Sequence, residues 1–227
     1  MHIEAGVVQG VKILFSYGTA ATVIGVGAKL TYNNIKENGL LSLLLKTVIS
    51  TILVFIFFEI FPHYPIGISE VHLILGTTLL LVFGVSPAMM GLTFGLLIQG
   101  LTVAQFDLPQ FGINVTTLLS SMLILNYATK KIVPIGTAYK DISYIQMLKM
   151  SAIWEGAIVT WVAFWAFYGQ GFGVENMSAV LSFGSAYMLV VLIEPFIDMA
   201  VLALVKTFYK NDSCSILFNK RLTNCKA

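Results

Sequence analysis

Charge is what this sequence has least of. Only 11% of its 227 residues are Asp, Glu, Lys or Arg, while 57% are hydrophobic; a soluble domain carries about 25% charged residues. With a mean hydropathy of +0.87, that shortage excludes a water-soluble globular domain. Cysteine is nearly absent: Cys214 and Cys225 both fall in a polar C-terminal tail, with ten residues between them, a spacing that makes neither a zinc site nor a disulfide framework. They read as free thiols. A Gly-x-x-x-x-Gly-Lys-Ser/Thr loop is missing, so any nucleotide hydrolysis must come from other chains. Gly-x-Ser-x-Gly is missing too, and no histidine falls inside a predicted helix, which argues against an intramembrane hydrolase. No enzyme activity is expected, and no nucleic-acid partner. The first apolar run has no basic leader and carries Lys12 within it, so a cleavable signal peptide is not expected.

What is there is a succession of apolar runs, each near the roughly 20 residues that cross a bilayer. The first covers about 7–30 and contains Gly18, Ala21, Gly25 and Gly27, small residues that let helices approach closely in lipid. It is therefore expected to be a packed helix. A second run, Leu40 to Phe61, closes at Pro62. The segment from Pro62 to Glu70 holds two prolines and no basic residue, which predicts an ordered loop outside the membrane. From His72 to Phe106 the apolar stretch is too long for one span, and Gly84-Val85-Ser86-Pro87 breaks it into a short and a longer helix. The run from Ile113 to about Tyr127 carries Asn114, Thr116, Thr117, Ser120 and Ser121, and so must face other helices, because in lipid each polar group needs a partner. A sixth helix is expected over Tyr144–Tyr168 and a seventh over Met177–Phe208. The expectation is an all-α, polytopic integral membrane protein of about seven transmembrane helices, one domain over 1–210, with a polar tail over 211–227.

Orientation follows from the basic residues. With the N-terminus outside, seven spans put the C-terminus, the turn at 31–39, the connection at 129–142 and the tail on the cytoplasmic side. Every Lys and Arg except Lys12 then lies on or near that side. The histidines His2, His63 and His72 all fall on the outer side.

Two of those histidines suggest metal chemistry. His2 can bring its Nδ1, its own amide nitrogen and the Met1 amine toward one ion in a plane. Planar nitrogen coordination suits Ni(II) or Cu(II), with Co(II) also open, over the tetrahedral preference of Zn(II). A fourth ligand must come from elsewhere, and His72, which opens a helix after the outer loop, can supply it. His63, between Pro62 and Tyr64, reads as an interfacial histidine.

The opening Met-His-Ile, Glu70-Val71-His72-Leu73 followed by Gly76, and Leu97-Ile98-Gln99-Gly100 leading to Gly112-Ile113-Asn114-Val115 together resemble the substrate-binding component of energy-coupling-factor importers for nickel and cobalt, the CbiM/NikM type. The resemblance spans roughly residues 1–130. It implies that the N-terminal segment enters the helical bundle and binds Ni(II) or Co(II), the transported substrate, through the Met1 amine, the His2 amide and imidazole, and the His72 imidazole. Gln99 and Asn114 match family residues expected to orient the imidazoles and pin the segment. It also implies a plasma (inner) membrane location and partners: a transmembrane coupling subunit, two cytoplasmic ATPases and, in many systems, a small accessory membrane subunit. The chain departs from the family pattern at Glu4-Ala5-Gly6 and at Thr117, where the family has a second asparagine.

Glu59, Glu155, Glu194 and Asp198 are the remaining acids within apolar runs. Glu194 and Asp198 share one helix face, and two readings stand for them: a hydrogen bond between helices or pairing with a snorkelling lysine on the one hand, or a docking surface for a partner's helices on the other. Trp154, Trp161 and Trp165 read as interfacial belt and packing. The alternative function is a membrane component or scaffold for a non-metal solute.

Overall fold

Where the apolar runs lie in the sequence, the chain is helical. The structure, a computed structural model, describes residues 3–208 and 216–222. Among the described residues eight α-helices follow in order: α1 (Lys12–Asn38), α2 (Leu40–Glu59), α3 (Gly76–Phe83), α4 (Val85–Thr102), α5 (Phe111–Ile132), α6 (Tyr144–Gln170), α7 (Val174–Val190) and α8 (Glu194–Phe208). A hairpin of β1 (Tyr64–Ile66) and β2 (Ser69–Val71) precedes α3. Six segments are long and apolar enough to cross a membrane, with α7 and most of α8 counted as one. The seventh passage is discontinuous: residues 72–75 enter the bundle without regular secondary structure and α3 continues for eight residues.

Close packing is built on glycines, and in α1 it is Gly27 that takes part, with an added Cβ 3.0 Å from Met89 Cε. An added Cβ at Gly91 would lie 2.4 Å from Ser50, and one at Gly95 would lie 2.6 Å from Val54, so α4 lies directly against α2. Because both contacts advance together along the chain, the two helices run parallel. Gly112 brings α5 against Ser16 of α1 in the same way. Gly18 and Gly25, by contrast, have nothing within 4 Å of an added Cβ, and α1 buries only Ser16, Ala20 and Gly27. The expectation of a fully packed first helix is thus corrected: α1 packs along one edge and leaves most of its surface outward. Asn114, Thr116, Thr117, Ser120 and Ser121 of α5 are all buried, as an interior helix requires.

The predicted seventh helix is two. Leu192 and Ile193 donate to the carbonyls of Leu189 and Val190 in a tight turn, and Pro195 then opens α8. Proline has no N–H to give and its ring collides with the carbonyl four residues back, so a helix through 195 must break before it. Asp198 of α8 accepts from Thr78 of α3 and from Ser151 of α6 at 3.3 Å, which matches the interhelical-bond reading. Trp154 and Trp165 are fully buried; they pack the core and form no belt.

At the end where the 133–143 connection lies, residues 216–222 fold back onto the bundle. The Asn219 amide donates to the Val82 carbonyl at 2.7 Å, satisfying the C-terminal end of α3. Arg221 donates to the carbonyls of Val133 and Pro134 at 3.0 and 2.9 Å and lies over the Tyr139 ring. Burial pushes the Tyr139 phenol above its ordinary range, and the Arg221 guanidinium opposes that shift.

Candidate metal site

At the opposite end, the first described residues enter the bundle instead of trailing from it. Ile3 is fully buried. Its N–H donates to Asn114 Oδ1 at 3.2 Å, and it forms an antiparallel bridge with Ser69 of β2. The Glu4 amide donates to the Ile68 carbonyl at 3.2 Å. Val7 and Val8 are buried, and Gln110 Nε2 donates to the Val8 carbonyl. Lys12 closes the segment by donating to the carbonyls of Tyr168 and Gly169 at 2.9 and 3.0 Å. Apart from the Lys12 bonds, each of these uses a main-chain atom of the segment, so they hold it in place independently of its side chains.

Its docking platform is the hairpin that leads to His72. Gly67 makes the two-residue turn with φ +68°, and a Cβ there would stand 2.2 Å from the Ala179 carbonyl oxygen of α7. Both facts require glycine. From β2 the chain continues extended to His72, whose side chain is buried. The His72 ring is held on several sides. Nε2 lies 2.9 Å from Glu70 Oε2, Phe58 meets the ring edge-on at 5.4 Å, and His63 stacks parallel on it at 5.0 Å. Beyond it Leu75 has φ +54°, the only positive value at a non-glycine among the described residues. Such backbone is sparsely populated and concentrates at functional sites.

The sequence-predicted residues therefore fall as follows. Met1 and His2 lie outside the described residues. His72 and Asn114 meet through the segment: Asn114 holds Ile3, and Ile3 pairs with the strand that leads to His72. Gln99 stands beside Asn114, both lining one small cavity with Asp107, but its amide donates to Glu59 at the C-terminal end of α2. His63 is more than an interfacial residue, since it covers one face of His72. Three participants were not foreseen. Glu70 bonds the His72 ring; Asp107, buried at the foot of α5, lies within electrostatic range of Glu70, Glu59 and Glu4; and Gln110 holds the segment at Val8. Among the described residues no three His, Cys, Asp or Glu side chains are placed to hold a metal ion by themselves.

Six segments able to cross a membrane, with a terminal segment docked among them beside a buried imidazole that bonds one carboxylate, define a polytopic membrane protein. The chain belongs to the CbiM family, described as the cobalt uptake substrate-specific transmembrane region, whose model matches residues 2–211. It is thus the substrate-specific membrane component of a cobalt-type metal uptake system, a transporter component by family. No curated protein and no solved structure matches it.

Proposed function

We propose that the chain captures Ni(II) or Co(II) from the outer side of the plasma membrane, at a site made by the Met1 amine, the His2 amide and imidazole, and the His72 imidazole. The observation that carries this reading is the docking of Ile3, tied at once to Asn114 and to the strand leading to His72. Ile3, the residue that follows Met1 and His2 in sequence, is bridged to Ser69, three positions before His72. His72 needs further ligands, and the described residues offer no third His, Cys, Asp or Glu for it. The surrounding Glu4, Glu59, Glu70 and Asp107 supply a negative field that concentrates cations at this end.

The bound ion then passes inward through an assembly energised by partners: a transmembrane coupling subunit and two cytoplasmic ATPases, with a small accessory membrane subunit in some systems. The absence of a phosphate-binding loop in the chain supports a separate energy source. Nickel and cobalt titrations of the purified chain and of His72→Ala test the capture step. Stoichiometric binding that survives His72→Ala overturns it.

A further inference from the structure

We propose that Glu70 is a positioning residue for the metal site: it fixes the tautomer of His72 so that Nδ1, and not Nε2, faces the ion. The inference rests on the reading of His72 as a ligand. Its ground is geometric. Residues two apart in an extended chain project to the same face, and Glu70 and His72 stand in that relation as the chain leaves β2. Glu70 is itself held in register, opposite Pro65 across the hairpin. On the other side of β2, Ser69 is bridged by Ile3. The carboxylate therefore sits on a strand fixed from both sides, 2.9 Å from His72 Nε2.

A carboxylate only accepts, so the ring nitrogen that bonds it carries the proton, and the lone pair of the neutral imidazole is then on the other nitrogen. That assigns Nδ1 to the ion. Phe58 at the ring edge and His63 across its face oppose the rotation that would exchange the two nitrogens. Metal-binding imidazoles are commonly oriented in this way, by a carboxylate on the nitrogen away from the metal, which also raises the basicity of the ligating nitrogen. Because Nδ1 is the ring nitrogen nearer the main chain, an ion bound there stays close to the strand on which the N-terminal segment docks. An ion on Nε2 would sit farther out and would have to displace Glu70.

The test is long-range proton–nitrogen correlation spectroscopy on the metal-free, histidine-labelled full chain in detergent, above the imidazole titration range. The three histidines are assigned by single substitution. The expected result is the Nε2–H tautomer for His72 in the native chain, kept in Glu70→Gln, whose amide oxygen still accepts, and lost or mixed in Glu70→Ala. Nickel affinity should fall about tenfold to hundredfold in Glu70→Ala and recover at least in part in Glu70→Gln. A native His72 in the Nδ1–H form overturns the proposal, and so does unchanged nickel affinity in Glu70→Ala. If Glu70→Ala does not fold, the native tautomer and Glu70→Gln still decide. A chain with the expected tautomer that binds nickel equally well without His72 refutes the site reading and leaves the Glu70 pairing standing.

Discussion

Gly169→Ala tests whether the docked segment, and not only its ligands, sets metal affinity. Gly169 lies near the end of α6, where an added Cβ would stand 2.0 Å from the Val7 carbonyl oxygen, 2.9 Å from its carbon and 3.1 Å from Val8 Cγ2. Carbon contacts settle near 3.5–4.0 Å, so segment and helix must part by on the order of 1 Å. Both are held against doing so, by the two Lys12 bonds to this part of α6 and by the Gln110 bond to Val8. Overpacking of this kind costs about 1–3 kcal/mol, and at about 1.4 kcal/mol per factor of ten the docked state loses roughly five- to 150-fold in population. The alanine carries no polar atom and replaces no ligand, yet nickel affinity measured by calorimetry should drop within that range, by about fivefold or more. The control is Gly156→Ala on the same helix. Nothing lies within 4 Å of a Cβ there, so it should gain up to about 1 kcal/mol of helix stability and leave affinity alone. A folded Gly169→Ala chain with native nickel affinity would refute the claim that segment docking limits binding.

The other predictions form a graded set. His72→Ala should cost at least tenfold to hundredfold in affinity. Asn114→Ala, which strands the buried Ile3 N–H at about 1–3 kcal/mol, should cost less, and Gln99→Ala, whose bond runs to Glu59, least of the three. His63→Ala removes a stack worth about 0.5–1.5 kcal/mol, so titrations should show a change of no more than about tenfold. Zinc should bind much more weakly than nickel, because an amide nitrogen must lose its proton to ligate; equal affinities by calorimetry would exclude a planar four-nitrogen site. Affinity for either ion should fall as pH drops through the imidazole range, since a protonated ring cannot coordinate. Cys214 and Cys225, which lie outside the described residues, should react only with membrane-permeant thiol reagents in intact cells. Labelling by an impermeant one would invert the topology.

Much of the fold was legible because lipid imposes strong rules. Each apolar run had to be a helix, and the polar face of α5 had to be interior. The Gly84 break was visible as Gly-Val-Ser-Pro. Other features were hidden by the same rules: a run of small residues in α1 looks packed, but only the placement of neighbours decides whether a partner helix lies there, and Gly18 and Gly25 have none. Pro195 was in plain view, yet the high hydropathy around it masked the break between α7 and α8. In the site, His72 and Asn114 were legible from their motifs. Glu70 was not, because a three-residue strand between two prolines and a glycine looks like irregular loop. Had the extended conformation of 69–72 been read, the two-residue spacing of Glu70 and His72 would have put them on one face. Asp107 and Gln110 depend on a short 3-10 turn over Gln105–Gln110 that brings the start of α5 under the segment, a tertiary arrangement with no local signature.

The most direct measurement compares one chain made twice, with its native N-terminus and with a short extension before Met1, and determines nickel and cobalt content in both after identical purification. An extension turns a primary amine, with a pKa near about 8, into an amide that ligates only after losing its proton. It also adds chain where the segment docks at Asn114 and Ser69. The account predicts stoichiometric metal in the native chain and none in the extended one, a loss as complete as that in His72→Ala. Equal occupancy in the two would mean that the Met1 amine is no ligand, and would contradict the site.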